Sequence, residues 1–350
     1  MRSIKILFLL VLFAACDKVD PILPSSNPLS NGAIVLCEGL FQQNNAQLSF
    51  INFSDTQVEN NFFLNRVGRQ LGDTGNDIKR YGSKIYILVN VSSTIEIVDA
   101  HDFSSIKQIN MINGTSAKQP RSIVFHEGAA YVTCFDGYVD RIDTTTLNIT
   151  ERIPVGANPE GLAIANGKLY VANSGGLNSS SMDSTVSVID LSTLEEIDRV
   201  TVGLNPGGVK SDINGAIYVI TRGDYGSIPS RMVRIESQTD QVSEEFDFDI
   251  SSFSEFNSHF LFTKHNFTSG ESSVGIFNTT TQTVQEEAFI SLDGVQTLYG
   301  VTYNPINNKI YLSDAMNYTN TGYIHEYSSS GLFIQSFHVG LNPSKLLFYD

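Results

Sequence analysis

One strand-like phrase of apolar residues closed by polar turn residues recurs along the chain. Its clearest copy is Lys168-Leu-Tyr-Val-Ala-Asn173, a polar loop, then Thr185-Val-Ser-Val-Ile-Asp190. Related phrases begin near Ile34, Ile85, Ala130, Ile217, Phe260 and Ile310. The spacing of about 46 residues is the period of propeller blades.

Each repeat divides into four strand-like pieces. In the unit beginning at Asn158, Pro159 to Ala165 predicts a first strand, and Asn166-Gly167 predicts a tight hairpin turn. Leu169 to Ala172 is the second strand, Val186 to Asp190 the third, and Glu196 to Val202 the fourth. Asn158-Pro159, Asn205-Pro206 and Asn342-Pro343 repeat the junction, with Gln119-Pro120 as a variant. The stretch from Asn342 to Phe348 reads as a first strand alone, and Gly32 to Cys37 as a second strand without a first. The expected fold is therefore all-β, a seven-bladed β-propeller over 32–350, with the ring closed by a C-terminal strand completing the first blade. The sixth blade, around Phe253 to Phe277, is the least regular. Asp247 and Asp249 alternate with Phe246 and Phe248 and read as a strand with one polar face. No long amphipathic helix is expected.

Antiparallel order places first-to-second and third-to-fourth turns on one face of the disc. Second-to-third loops and blade junctions fall on the other. The first set is short. The second includes Phe41 to Ala46, Asn173 to Ser184, Arg222 to Ser230, His265 to Ser273 and Asn317 to Gly322, in blades one, four, five, six and seven. Elaborated loops mark the binding face, here a bowl that is lower beside blades two and three.

Composition narrows the function. Charged residues are sparse, at 17%, and the formal net charge is −15, so the basic footprint of a nucleic-acid binder is missing. The chain has no Trp, which argues against WD-type blades, the Trp-docked blades of quinone-cofactor dehydrogenases and Trp-ended sialidase boxes. The first residues read as a targeting segment: a positive head, an apolar stretch from Ile6 to Phe13, then Phe13-Ala14-Ala15-Cys16. Small residues before a Cys resemble a bacterial lipobox. Residues 1–15 then form a lipoprotein signal peptide, Cys16 is the lipidated N-terminus, and 16–31 is an extended tether. An ordinary signal peptide cut near Ala15 is the alternative. Cys37 and Cys134 fall one position apart within the repeated phrase, which directs them to opposite sheet faces and predicts no disulfide.

No catalytic motif emerges: there is no metalloprotease helix, Cys-x-x-Cys, nucleophile elbow or phosphate-binding loop. An enzyme is not expected, and neither a metal nor a cofactor is. His265 lies in a top loop and reads as solvent-facing rather than as a metal ligand. Asp73, Asn76 and Asp77 lack complete calcium-loop spacing and suit side-chain-to-backbone bonding. What remains is a polar and aromatic ring at the mouth. Inner strands should present Asp77, Arg121, Glu160, Tyr299 and Lys345. Second-strand ends should add Glu38, Asn90, Asn173, Arg222, Lys264 and Asp314, and the loops Phe41, Tyr225, Phe267 and Tyr318. Such a surface suits one broad ligand rich in amides, hydroxyls or carboxylates. Alternatively, the opposite charges pair with one another across the channel. Arg121 and Lys345 would oppose a cation on the axis, against a metal-centred hydrolase or lactonase.

The blade pattern resembles the YncE-like propellers. Longer stretches are more specific: Gly72-Asp-Thr-Gly-Asn-Asp-Ile78 with Tyr81-Gly-Ser-Lys84, Tyr170-Val-Ala-Asn-Ser-Gly-Gly176, Thr221-Arg-Gly-Asp-Tyr225 with Pro229-Ser230, and Tyr299-Gly-Val with Asn304-Pro305 and Asp314-Ala315. Together they resemble the BtuG-type surface vitamin B12-binding lipoproteins of Bacteroidota. That resemblance implies a protein lipid-anchored to the outer membrane and facing the cell exterior. It would take cobalamin or another corrinoid on its top face and pass it to a TonB-dependent transporter, with cobalamin as cargo rather than cofactor. A corrin is a broad disc fringed with amides, for which polar partners around the rim and aromatic contacts on the faces are suited. The other reading of the same loops is a surface propeller that binds a glycan or protein partner through Phe41, Tyr225 and Tyr318.

Overall fold

The computed structural model describes residues 29–265 and 270–349. The expected signal segment, Cys16, most of the tether and Phe267 lie outside them. Seven four-stranded antiparallel sheets form a ring. In blade one, Pro343–Tyr349 is innermost, beside Gly32–Cys37, with Gln47–Asn52 and Val58–Glu59 outside. Gly32 pairs with Tyr349 and Leu36 with Lys345, so the last strand completes the first blade as the repeat register predicts. The other inner strands are Gly75–Tyr81, Pro120–His126, Pro159–Ala165, Pro206–Ser211, Ser252–Phe256 and Leu298–Asn304, and each blade continues outward in chain order.

The second strands hold the ring together. They are packed on both faces, so Gly32–Cys37, Ala129–Cys134 and Ile217–Thr221 are buried along their whole length. Neighbouring blades interleave. Ala163, Tyr170 and Val188 of blade four, for example, pack with Val209, Val219 and Val233 of blade five. Each fully buried apolar side chain of this size contributes about 1.5–3 kcal/mol. Asn166 and Gly167 both adopt positive φ, 49° and 72°, as a two-residue hairpin turn requires.

A six-residue helix, Phe62–Val67, sits between blades one and two, with Phe62 and Phe63 buried. It is too short to leave a periodic signal in the sequence. Three expectations need correction. Asp247 and Asp249 lie outside the strand, which ends at Phe246. The chain turns toward blade six there, and Phe246 and Phe248 both pack onto its core. Cys37 and Cys134 close their second strands at the same position. Each joins the core shared with the preceding blade, so they face equivalent ways in different interfaces. Both thiols are free and buried, and burial pushes Cys37 up to about 12. The tether docks before its expected end: the Leu29 N–H donates to the His101 carbonyl at 2.9 Å, and its side chain packs on the core of blades one and two.

Candidate functional site at the channel mouth

The inner strands surround an axial channel of about 770 Å³. In six blades the inner strand carries an extra residue near its top, where its pairing with the second strand slips. Such a bulge re-aims a side chain. The residues following the first strand position are Ser344, Asn76, Arg121, Glu160, Gly207 and Tyr299 in blades one, two, three, four, five and seven, and all six line the channel. Blade six pairs without a slip, with Ser252 opposite Thr263.

These residues form a collar. The Arg121 guanidinium donates to Glu160 Oε2 through Nε at 3.1 Å and Nη2 at 2.8 Å, and through Nη1 to Asn76 Oδ1. Asn76 Nδ2 donates back to the Arg121 carbonyl at 2.7 Å. Arg222 Nη1 reaches Glu160 Oε1 at 3.4 Å. Its guanidinium fills the space a side chain at Gly207 would occupy, since a Cβ there would lie 2.5 Å from Arg222 Cζ. Burial drives Glu160 toward protonation, but Arg121 and Arg222 outweigh it and hold the carboxyl below its ordinary range. Across the ring, the Tyr299 hydroxyl donates to Glu38 Oε2 at 2.7 Å. Burial and the Glu38 charge raise that phenol well above its usual value. Asp77 lines the wall, with Oδ2 accepting the Ile123 N–H at 3.1 Å. The charges at this level thus pair between neighbouring blades rather than across the channel.

Above the collar stand exposed aromatics: Phe41 at 67%, Tyr225 at 60% and Tyr318 at 50%. Tyr318 meets Tyr299 edge to face, with ring centroids 6.0 Å apart. Tyr225 and Tyr318 both hold positive φ, 59° and 64°, an uncommon state for bulky residues that concentrates at functional sites. The Tyr225 loop is pinned from within, because Asp224 accepts the Gly226 and Ile228 N–H groups at 2.8 and 2.7 Å.

Other expected mouth residues turn elsewhere. Asn173 is fully buried, accepting the Gly156 N–H at 3.0 Å and donating to Thr185 and Ser187. Asn90 is buried and donates to the Pro120 carbonyl. Asp314 is buried and accepts the Gln296, Thr297 and Met316 N–H groups. These three tie second strands to blade junctions instead of facing the channel. Lys264 lies 3.7 Å from Glu287 and does not line the channel. Asp73 binds the Gln42 and Asn44 N–H groups through its carboxylate, which fixes the Phe41 loop by side-chain-to-backbone bonding. His265 Nδ1 bonds Ser272 at 2.9 Å.

The position reading missed Asn76 as a collar member and Lys79 and Lys210 as channel residues. Asn76 adjoins Asp77 and Lys79 lies two residues beyond it, which was the available signal; no inner-strand residue of blade five had been singled out. One triad-like run also occurs outside the channel: His325 bonds Ser336 at 2.7 Å and approaches Asp314 at 3.4 Å. The Asp314 carboxylate is already engaged by backbone donors, and Ser336 lies on an outer strand away from the channel.

The model of a family described as "Domain of unknown function (DUF5074)" matches residues 31–341. No curated protein matches the chain. Among solved structures, a quinonprotein alcohol dehydrogenase-like protein from Bacteroides thetaiotaomicron is 17% identical, with 93% of this chain and 79% of that one covered at a TM-score of 0.65. Kuenenia stuttgartiensis hydrazine synthase is 17% identical over 75% of this chain and 85% of that one, at 0.61. The dihydro-heme d1 dehydrogenase NirN is 11% identical over 94% and 77%, at 0.58. At these identities the likeness is one of fold.

Proposed function

The chain belongs to the DUF5074 family, and from that premise we propose that it is a non-enzymatic capture protein whose channel mouth takes one broad polar ligand. The observation that carries this reading is the pair of exposed tyrosines, Tyr225 and Tyr318, held at positive φ over a charged collar. Half or more of each ring faces solvent, and an exposed aromatic face in a loop held in this conformation offers a flat apolar surface to a ligand. A corrinoid is the leading candidate: its flat apolar faces suit Tyr225, Tyr318 and Phe41, and its rim amides suit Glu38, Arg121 and Arg222. In the same proposal Cys16 carries lipid that anchors the protein to the outer membrane. The cargo then passes to a TonB-dependent transporter.

Titration of the protein with cobalamin, read by calorimetry and by co-elution of the coloured ligand, tests this. One-to-one saturable binding, weakened at least tenfold by Tyr225→Ala or Tyr318→Ala, is expected. Absence of binding across several corrinoids would sink the corrinoid reading. A stable complex with a glycan or protein lost in the same variants would then establish the second reading. Labelling with a radioactive fatty acid, abolished by Cys16→Ser, checks the anchor.

A further inference from the structure

Below the collar the channel changes character. Lys79 of blade two pairs across its strand with Tyr86, Lys210 of blade five with Tyr218, Ser254 with Leu261 and Thr302 with Tyr311. These second-strand positions are equivalent, so the four side chains share one tier. It lies three residues beneath the collar, about 10 Å at strand rise. Lys345 of blade one stands two residues higher on the same wall.

The channel lining carries six cationic side chains and three carboxylates, in a chain whose net charge is −15. The carboxylates are already engaged: Glu160 by two arginines, Glu38 by Tyr299 and Asp77 by backbone N–H groups. The lysines have weaker partners or none. Lys79 stands 3.9 Å from Asp77, at the limit of an ion pair. Lys210 stands 3.6 Å from Glu255, which is itself 71% exposed. Lys345 forms no ion pair among the described residues. Burial, Lys79 and Lys345 all weigh against protonation of Lys210 and prevail over Glu255 and Asp77, lowering its affinity for a proton. Acidic groups on the outer surface act weakly here, because physiological salt screens charges beyond about 8 Å.

We propose that this lower channel is an anion well, in which Lys79, Lys210 and Lys345 together bind a phosphate or carboxylate group, with Ser254 and Thr302 as hydroxyl donors. Three ammonium groups from three blades supply the charge that a divalent oxyanion needs and relieve their own repulsion by binding it. Blade six, which places only Ser252 at collar height, leaves the way in. The anion is either free or a pendant group of a larger ligand seated at the mouth. The well does not depend on the corrinoid reading.

Calorimetric titration with inorganic phosphate and, separately, with citrate at low ionic strength tests it. Saturable one-to-one binding of at least one anion is expected, weakened about tenfold in Lys210→Gln and in Lys345→Gln and unchanged in Lys84→Gln, which lies outside the channel. Thermal melts of each variant confirm that the fold is kept. Phosphate without citrate identifies a phosphate well, and citrate without phosphate a carboxylate well. No saturable binding of either anion, or binding unaltered in both channel variants, would overturn the proposal.

Discussion

Blades four and six are built on one plan and end in opposite results at the axis. Blade four slips its pairing between Pro159 and Leu162, and the extra residue turns Glu160 into the collar, where it binds Arg121 and Arg222. Its core is aliphatic apart from Tyr170. Blade six keeps its inner strand in unbroken register and fills its core with Phe253, Phe260, Phe262 and Phe277. In blade four the bulge turns a charged side chain into the channel, whereas the unbroken inner strand of blade six lines it with Ser252, Phe253 and Ser254 and brings no charge.

The largest test is on the packing side. Phe262 is 1% exposed, and Phe262→Ala should lower the unfolding free energy by about 3–5 kcal/mol, measured by urea denaturation. Asn173→Ala, which removes a buried amide with three partners beside the blade-four bulge, should cost about 2–3 kcal/mol on the same scale. Glu160→Gln leaves two partly exposed guanidinium groups without a full charge and should cost about 1–2 kcal/mol at neutral pH. Its pH dependence has a definite sign. Folding holds the Glu160 carboxyl below its ordinary value of 4.5, so its contribution is complete above that value and is lost as pH falls through the lower folded value. Thermal melts of the wild type and Glu160→Gln should therefore differ at pH 7 and converge in acid; a constant gap would break the argument. Smallest in stability is Tyr225→Ala, expected within about 0.5 kcal/mol because the ring is exposed.

The repeat period made the ring legible, since Asn166-Gly167 and the Asn-Pro junctions mark strand ends by local backbone preference. Glu160, Arg121 and Tyr299 could be placed because each follows a first-strand start. The bulges were not legible, because a slip in pairing is a relation between two strands and leaves no mark in either alone. Without them, Asn90, Asn173 and Asp314 read as mouth residues from position, although their short polar groups satisfy buried backbone at the junctions. Blade six hid Asp247 and Asp249 for a similar reason: alternation survives where the chain leaves the sheet and only its phenylalanines remain packed.

The seam of blade one matters in time as well as in space. The Ser344 hydroxyl reaches the Leu36 carbonyl across 308 residues of sequence, and closing a loop of that length costs about 5 kcal/mol of chain entropy. Gly32–Cys37 is among the first strands to leave the ribosome and among the last to gain its inner neighbour. Until Pro343–Tyr349 arrives, Ile34 and Leu36 border an unpaired edge. Contacts so distant in sequence slow folding. The final strand thus closes the ring only after every other blade has been synthesised, and until then the edge of blade one stays open.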